Sequence, residues 1–178
     1  MNTEKVTIGF DPGLATTGYG VIRGCSNNPA CAQRAGKWEV IACGVIKTAQ
    51  SAARQQRLQE IYRETRALIE RFDPAGVAIE EVYMAKNRRT AMFTAETRGV
   101  ILLAAWGVPV REYTPLQVKK RITGYGRASK GQIQTMVKQI LGLSKVPRPD
   151  DAADGLALAL CYQFDLRKGI IDGMHNGL

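Results

Sequence analysis

Four carboxylates stand at the ends of hydrophobic segments that are far apart along the chain, and this placement constrains the fold more than any other feature. Asp11 closes an apolar, strand-like run and precedes a Pro-Gly turn, and Glu80 closes a second such run. Asp151 and Asp154 are three residues apart before an apolar stretch, which puts both on one face of a helix's first turn. We therefore predict one metal site assembled from three distant segments.

Two of these acids have an acidic neighbour that the pattern assigns to a different role. Glu81 faces away from Glu80 if the strand continues, because successive side chains of a strand alternate between its faces. Asp150 directly precedes Asp151 and is the residue type expected at the N-cap of the last helix. We predict that Glu80 and Asp151 are ligands and that these two neighbours are not.

Hydrophobic periodicity predicts five strands and several helices. The strands are expected at Val6–Phe10, Gly18–Ile22, Trp38–Lys47, Val77–Val82 and Pro109–Tyr113. Helices are expected before Asp73-Pro74, over Asn87–Trp106, from Pro115 through Arg121, from Ser129 to about Gly142, and from Asp150 onward. The first three strands form an antiparallel meander. The order of elements predicts an α/β fold, a mixed five-stranded sheet with helices on both faces.

Length and composition favour a single globular domain. The chain has 178 residues, 45% of them hydrophobic, and no segment long and apolar enough to span a membrane. The first residues lack the pattern of a signal peptide, so we expect a cytoplasmic protein. We expect the domain to cover residues 1–166 and residues 167–178 to form a disordered tail.

The positive charge is concentrated in the middle of the chain. The net charge is +9, yet the stretch from Lys86 to Arg148 contains 13 lysines and arginines against two acids, Glu96 and Glu112. A basic face of this kind suits a polyanion such as DNA, because neutralised phosphates release counterions. A merely solvated basic surface is the alternative interpretation.

Cysteine and histidine exclude several classes of site. The four cysteines form no CxxC pair, so reduced thiols are expected, although Cys25 and Cys31 bracket a polar loop and could bridge under oxidation. The single histidine, His175, lies in the expected tail. Hydrolases with a Ser-His-Asp or Cys-His arrangement and histidine-based zinc sites are therefore disfavoured.

An all-oxygen cluster of four acids is suited to hard divalent cations. Two Mg²⁺ ions would balance four carboxylates, and Mn²⁺ is a possible substitute. Two such ions equip a site for phosphodiester hydrolysis by an activated water, with no histidine base required. Without cations the carboxylates repel one another, so Asp154→Asn is expected to stabilise the metal-free protein.

Three segments together resemble a known family. They are Gly9-Phe10-Asp11-Pro12-Gly13 with Thr17-Gly18-Tyr19-Gly20-Val21-Ile22, Ala78-Ile79-Glu80-Glu81-Val82-Tyr83-Met84-Ala85-Lys86-Asn87, and Asp151-Ala152-Ala153-Asp154. These strings resemble the RuvC Holliday-junction resolvases, which have the ribonuclease H-like fold. The resemblance runs from about Val6 to Tyr162. It departs at the loop from Gly24 to Lys37, which is longer than expected and whose role cannot be carried over.

The resemblance implies roles for particular residues. Asp11, Glu80, Asp151 and Asp154 correspond to the family's catalytic, metal-binding acids. Lys119 and Lys130 correspond to its basic residues near the scissile phosphate, and Tyr83 to the aromatic that stacks on nucleobases, where Phe is more familiar. Further DNA contacts are expected from basic residues of the same stretch: Lys86, Arg88, Arg89 and Arg127. The resemblance also implies four-way junction DNA as substrate, a homodimer, and a branch-migration motor as partner.

Some of these residues have ordinary structural interpretations as well. Asp11 could be a turn former, Tyr83 a core residue, and part of Lys119-Lys120-Arg121 must simply be solvated. Lys130 is expected at the first position of a helix, an unfavourable place for a cation, which suggests a further role. Small residues at Ala91, Ala95 and Gly99 favour packing within the chain over a dimer contact.

The leading hypothesis is a metal-dependent endonuclease that resolves four-way DNA junctions during recombination and repair by cutting two opposed strands. One alternative is a branched-DNA binding module that does not cleave. A ribonuclease H acting on RNA–DNA hybrids is another, since it shares the metal chemistry. An ATPase or sugar-kinase-like protein is disfavoured, because such folds duplicate this unit and 178 residues supply one copy.

Overall fold

The computed structural model describes residues 5–24, 38–82 and 88–169. It contains five strands, β1 (Val6–Asp11), β2 (Thr16–Gly24), β3 (Trp38–Lys47), β4 (Gly76–Glu80) and β5 (Val110–Tyr113). It also contains five helices, α1 (Arg54–Phe72), α2 (Arg88–Ala104), α3 (Pro115–Thr123), α4 (Lys130–Ile140) and α5 (Asp150–Arg167). The predicted elements are all present, with ends that differ by a few residues. The fourth strand, for example, ends at Glu80 rather than Val82.

The strands form one mixed sheet in the order β3-β2-β1-β4-β5. Strands β1, β2 and β3 pair antiparallel, which confirms the predicted meander. Strands β4 and β5 join parallel to β1 after helical crossovers. The carboxyl ends of β1 and β4 therefore lie side by side, and the register that pairs Phe10 with Ile79 leaves Asp11 and Glu80 as neighbours one residue further on.

Each face of the sheet carries its own hydrophobic core. Helices α1 and α2 cover one face, where Ile61 and Ile101 pack with Ile8, Phe10 and other strand residues. Helices α3, α4 and α5 cover the other face. The prediction of a mixed five-stranded sheet with helices on both faces is confirmed.

Alternation along the strands directs both strand-borne acids to the same face. Ile8 and Phe10 of β1 face α1 and α2, whereas Gly9 between them lies against α5. By the same alternation Asp11 belongs to the α5 face. In β4, Ile79 faces α1 and α2, and Glu80 therefore shares the α5 face as well.

Helix α5 lies directly on the backbone of the antiparallel strands, because glycines leave room for it. A Cβ placed on Gly18 would lie 2.0 Å from the backbone oxygen of Asp151, and one on Gly155 would lie 2.5 Å from the backbone carbon of Tyr19. Gly18 is the partner of Asp11 in the β1–β2 register. This contact consequently brings the first turn of α5, with Asp151 and Asp154, next to Asp11.

The capping predictions are correct at two helices and wrong at a third. Thr114 and Ser129 cap α3 and α4, each accepting a hydrogen bond from the backbone N–H three residues later. Asp150 is not the N-cap of α5, because Pro149 holds that position and Asp150 is the first helical residue. Its carboxylate accepts a 2.6 Å hydrogen bond from Arg148. An acid in the first turn still complements the helix dipole.

The small-residue ridge of α2 does not pack as predicted. Ala91 is buried, but Ala95 and Gly99 are exposed, and a Cβ on Gly99 would meet nothing within 4 Å. The expectation that this ridge packs within the chain is therefore wrong for two of its three residues. Helix α2 instead contacts α1 with its other side.

Several sequence predictions lie outside the described residues. They concern Cys25 and Cys31, the loop of residues 25–37, His175 and most of the expected tail. Cys43 and Cys161, which are described, are free thiols. Among the described residues no helix has the length and apolar character needed to cross a bilayer. The domain limits proposed from the sequence stay a prediction, with α5 reaching Arg167.

Gly155→Ala tests the close contact of α5 with the sheet. The added methyl meets backbone atoms of Tyr19 and Gly20, which cannot rotate away as a side chain would. We expect a loss of about 1–3 kcal/mol in the free energy of unfolding, measured by urea denaturation.

Gly131→Ala is the matched control, because it also lies in a helix and its Cβ would meet nothing within 4 Å. It is expected to leave stability unchanged or raise it by up to about 1 kcal/mol. Equal effects of the two substitutions would contradict the close contact.

Candidate active site

Three carboxylates from two elements converge at the carboxyl end of β1. Oxygens of Asp11, Asp151 and Asp154 lie within 4.8 Å of one another, and all three side chains are partly buried. Asp11 is placed by the last pairing of β1 with β2, and the two helical acids by the contact of α5 with Gly18. The predicted convergence of these three acids is present in the fold.

Glu80 completes the group from the neighbouring strand. It lines a cavity of about 220 Å³ together with Asp11 and Asp154. The rest of the lining comes from α3, α4 and α5: Pro115, Val118, Lys119, Lys130, Ile133, Ala157 and Leu158. Glu81 lies just beyond the end of β4 and does not line this cavity, and its exclusion from the ligand set stays a prediction.

Lys130 forms an ion pair with one of the acids. Its ammonium lies 2.8 Å from Oδ2 of Asp154, while about half of its side chain stays exposed. It occupies the first position of α4, as predicted. The hydrogen bond to Asp154 raises the pKa of Lys130, so the side chain remains charged. The unfavourable position at a helix start is thus explained by the negative charge opposite it.

The three consecutive basic residues of α3 separate into different roles. Lys119 is half-buried and lines the cavity. Lys120 is exposed, and Arg121 turns to the buried carboxylate of Asp165. Of the three, Lys119 alone lines the cavity, and its role at a ligand stays a prediction. Arg127, in the loop before α4, is exposed.

Burial and mutual repulsion make the cluster unfavourable when fully ionised. Burial raises the pKa of Asp11 to about 8, with further contributions from Glu80, Asp154 and Asp151, against which Lys130 acts weakly. Burial, then the charge of Asp154, raises the pKa of Glu80. Burial also raises the pKa of Asp154, although its ion pair with Lys130 acts in the opposite direction. The site therefore favours either protons or added positive charge.

The residues present fit divalent cations. The ligand set consists of carboxylate oxygens alone, which suits hard cations such as Mg²⁺ and Mn²⁺ rather than zinc. Three oxygens already lie close enough together to share an ion, and Glu80 borders the same cavity. Added cations would also relieve the repulsion that raises the pKa values of Asp11 and Glu80.

Other predicted DNA contacts are not described at the level of side chains. Tyr83 and Lys86 lie outside the described residues, and Arg88 and Arg89 begin α2 with side chains that are not described. Their assignment stays a prediction.

Sequence reasoning missed two features of the sheet face that carries the acids. Gly18, Gly20 and Gly155 set the distance between α5 and the sheet. The sequence does contain glycines at alternate positions of β2 and one in the last helix. Their role becomes recognisable only once it is known that this helix packs on β2. Asp165 is fully buried in contact with Arg111 and Arg121, and no local pattern distinguishes it from a surface acid.

Comparison with known proteins identifies the family. A model of the family described as crossover junction endodeoxyribonuclease RuvC matches residues 7–162. The chain belongs to the RuvC family. The RuvC of Syntrophomonas wolfei subsp. wolfei is 48% identical over 162 residues, which cover 90% of this chain and 89% of that protein. The predicted family is confirmed, and membership implies dependence on a divalent metal.

Solved structures agree with this assignment. The Thermus thermophilus RuvC in complex with Holliday junction substrate matches with a TM-score of 0.83 and 35% identity, covering 93% of this chain and 96% of that one. The yeast mitochondrial Holliday junction resolvase Ydc2 matches with a TM-score of 0.63 at 11% identity, which shows a shared fold alone. The predicted ribonuclease H-like architecture is confirmed by the RuvC match.

The metal-free protein is expected to lose stability as the pH rises from about 4 to about 8. Asp11 holds a proton in the folded state up to about pH 8, whereas in the unfolded chain its pKa is near 3.8. The folded state therefore binds more protons in this interval, so the free energy of unfolding falls with rising pH. Melting temperatures measured in the presence of a chelator at pH 5, 6, 7 and 8 test this.

Asp11→Asn is the variant that isolates the effect. It removes the titrating group and should flatten the pH dependence while raising the melting temperature at pH 8. It is a better choice than Asp154→Asn, which also breaks the ion pair with Lys130. An unchanged slope in Asp11→Asn would contradict the proposed repulsion within the cluster.

Proposed function

We propose that this protein is a Holliday-junction resolvase that acts as a homodimer and hydrolyses one phosphodiester bond in each of two opposed strands. The observation that carries the proposal is the convergence of Asp11, Asp151 and Asp154 beside a cavity that Asp11 and Asp154 line together with Lys119 and Lys130. A protein that only bound DNA would gain nothing from gathering acids where phosphates must lie. The RuvC relatives are crossover junction endodeoxyribonucleases, which supports the same reaction.

Asp11, Glu80, Asp151 and Asp154 would hold two divalent cations, Mg²⁺ or Mn²⁺. Four carboxylates balance the charge of two such ions. Cations at such a site activate a water for attack on phosphorus and stabilise the leaving 3′ oxygen. The protein contributes rigid placement, since Asp11 is fixed by the sheet and the two helical acids by the contact of α5 with it.

Lys119 and Lys130 are placed to bind the scissile phosphate. Both line the cavity, Lys119 from α3 and Lys130 from α4. Lys130 now neutralises part of the acidic cluster through Asp154. With cations bound to the acids, the ammonium of Lys130 would be available to a phosphate oxygen of the DNA.

The remaining DNA contacts follow the basic middle of the chain. Lys86, Arg88, Arg89 and Arg127 are proposed to bind backbone phosphates away from the cut, and Tyr83 to stack on a nucleobase near the crossover. A DNA substrate is consistent with the proposed cytoplasmic location. A partner motor for branch migration rests on the family resemblance alone.

The exposed face of α2 is proposed as the dimer contact. Met92, Leu103 and the following Trp106 are 61%, 63% and 83% exposed, and Ala95 and Gly99 lie between them at helical spacing. The result is an apolar stripe with small residues at its centre, where a second helix can approach closely. A second copy of the chain is its fitting occupant, because a four-way junction has two-fold symmetry and a C₂ dimer presents two identical sites.

Cleavage of a synthetic four-way junction tests the reaction. We expect cuts in two opposed strands in the presence of Mg²⁺, and none with a chelator. Asp11→Asn should reduce the cleavage rate by at least about 100-fold, because it removes a ligand at the centre of the cluster. Junction binding, measured in Ca²⁺ or without metal, should persist in the variant.

Duplex DNA and an RNA–DNA hybrid are the substrate controls. Faster cleavage of the hybrid would favour a ribonuclease H. Binding of the junction without metal-dependent cleavage would favour a binding module instead. Persistent cleavage by Asp11→Asn would show that the acids are assigned wrongly.

Leu103→Glu tests the dimer contact. A charge placed on the apolar stripe is expected to raise the dimer dissociation constant by at least about 30-fold, measured by analytical ultracentrifugation. Tyr62→Glu is the control, since Tyr62 is an exposed aromatic on α1, at 39% exposure. A Leu103→Glu protein that remains as dimeric as the control would exclude this face.

A further inference from the structure

We propose that Asp165 is a positioning residue that sets the location of Lys119 relative to the acidic cluster. It lies near the other end of α5, and its side chain is fully buried. Asp165 follows Asp154 by 11 residues, close to three helical turns, so the two carboxylates project from one face of the helix. The inference rests on the proposed function, because it assigns Lys119 a role in cleavage.

Three side chains from two other elements converge on this carboxylate. The hydroxyl of Tyr113 donates a 2.8 Å hydrogen bond to Oδ2. Arg111 pairs with the same oxygen at 3.2 Å, and Arg121 donates to Oδ1. The two guanidinium groups also lie over the ring of Tyr113, 5.9 and 5.4 Å from its centre. Asp165 therefore joins α5 to β5 and to α3 at one point.

Two of the residues that contact Asp165 belong to segments next to the proposed site. Tyr113 is the last residue of β5 and the register partner of Glu80. Arg121 belongs to α3, two residues after Lys119, and α3 begins directly beyond Tyr113 at its N-cap Thr114. The short helix α3 is thus held at its start by the strand and near its end by Asp165, and Lys119 between these points lines the cavity.

Asp165 is difficult to replace because its carboxylate balances the positive charges of Arg111 and Arg121. Burial, together with the hydrogen bond to Asp165, raises the pKa of Tyr113, so its hydroxyl stays protonated and remains a donor. Without the carboxylate, two neighbouring guanidinium groups would lie near the Tyr113 ring and lose the anion that both now contact. Repulsion would then move Arg121, and with it α3, away from α5.

Asp165→Asn tests the inference because it keeps the shape and removes the charge. Under saturating junction and Mg²⁺, we expect the single-turnover cleavage rate to fall by roughly 10- to 100-fold, as a displaced catalytic group costs rate rather than affinity. Junction affinity should change by less than about threefold. Arg121→Gln is a milder variant, since Asp165 keeps Arg111 and Tyr113 as partners, and it should lower the rate in the same manner.

A double-mutant cycle separates positioning from general stability. In a Lys119→Ala background, Asp165→Asn should lower the rate by less than about twofold, because its effect passes through a side chain already removed. Ile61→Ala is the control for destabilisation, as Ile61 is fully buried on the opposite face of the sheet. Measured well below its melting temperature, this control should cleave at the wild-type rate.

Amide hydrogen exchange provides a readout that does not need cleavage. Asp165→Asn should speed exchange in residues 115–123 while leaving residues 130–140 unchanged. Equal losses of rate with and without Lys119, or unchanged exchange in α3, would overturn the inference. A wild-type protein that does not cleave junctions would instead contradict the proposed function, and the exchange result would still decide whether Asp165 holds α3.

Discussion

The direct contact of α5 with the backbone of β1 and β2 is the constraint on which the rest of the site depends. Gly18 and Gly155 remove the side chains that would otherwise hold the helix several ångströms from the sheet. The first turn of α5 can then lie beside the end of β1, and carboxylates that are 140 residues apart in the chain become neighbours. A helix that rested on larger side chains would leave Asp11 without Asp151 and Asp154.

This closeness creates an electrostatic conflict, which the protein resolves only in part. Lys130 compensates Asp154 directly, and protons remain on Asp11 well above the usual range of a carboxyl. The clustering of carboxylates that suits cation binding therefore destabilises the protein in the absence of cations. The arrangement costs free energy in the absence of cations, and that cost becomes part of the binding energy when cations arrive.

Much of this could be predicted from the sequence, because the signals were local. Apolar runs and turn residues identified the strands, and Thr114 and Ser129 marked helix starts whose caps the structure confirms. The placement of Asp11 and Glu80 followed from strand ends. What could not be predicted depends on which surfaces meet. Ala95 and Gly99 satisfy the pattern of a packed ridge and yet lie exposed, and Asp165 has no local signature although it is fully buried. Asp150 failed as an N-cap because Pro149 before it already takes the extended cap position.

The sheet also separates the acidic cluster from the apolar stripe of α2. Its α5 face carries the acids, the two lysines and the Asp165 network, whereas α1 and α2 cover the opposite face. The apolar stripe of α2 points outward from that second layer, with a complete hydrophobic core between it and the carboxylates. The proposed dimer contact is therefore separated from the proposed active site by a hydrophobic core, so a substitution in one need not change the geometry of the other.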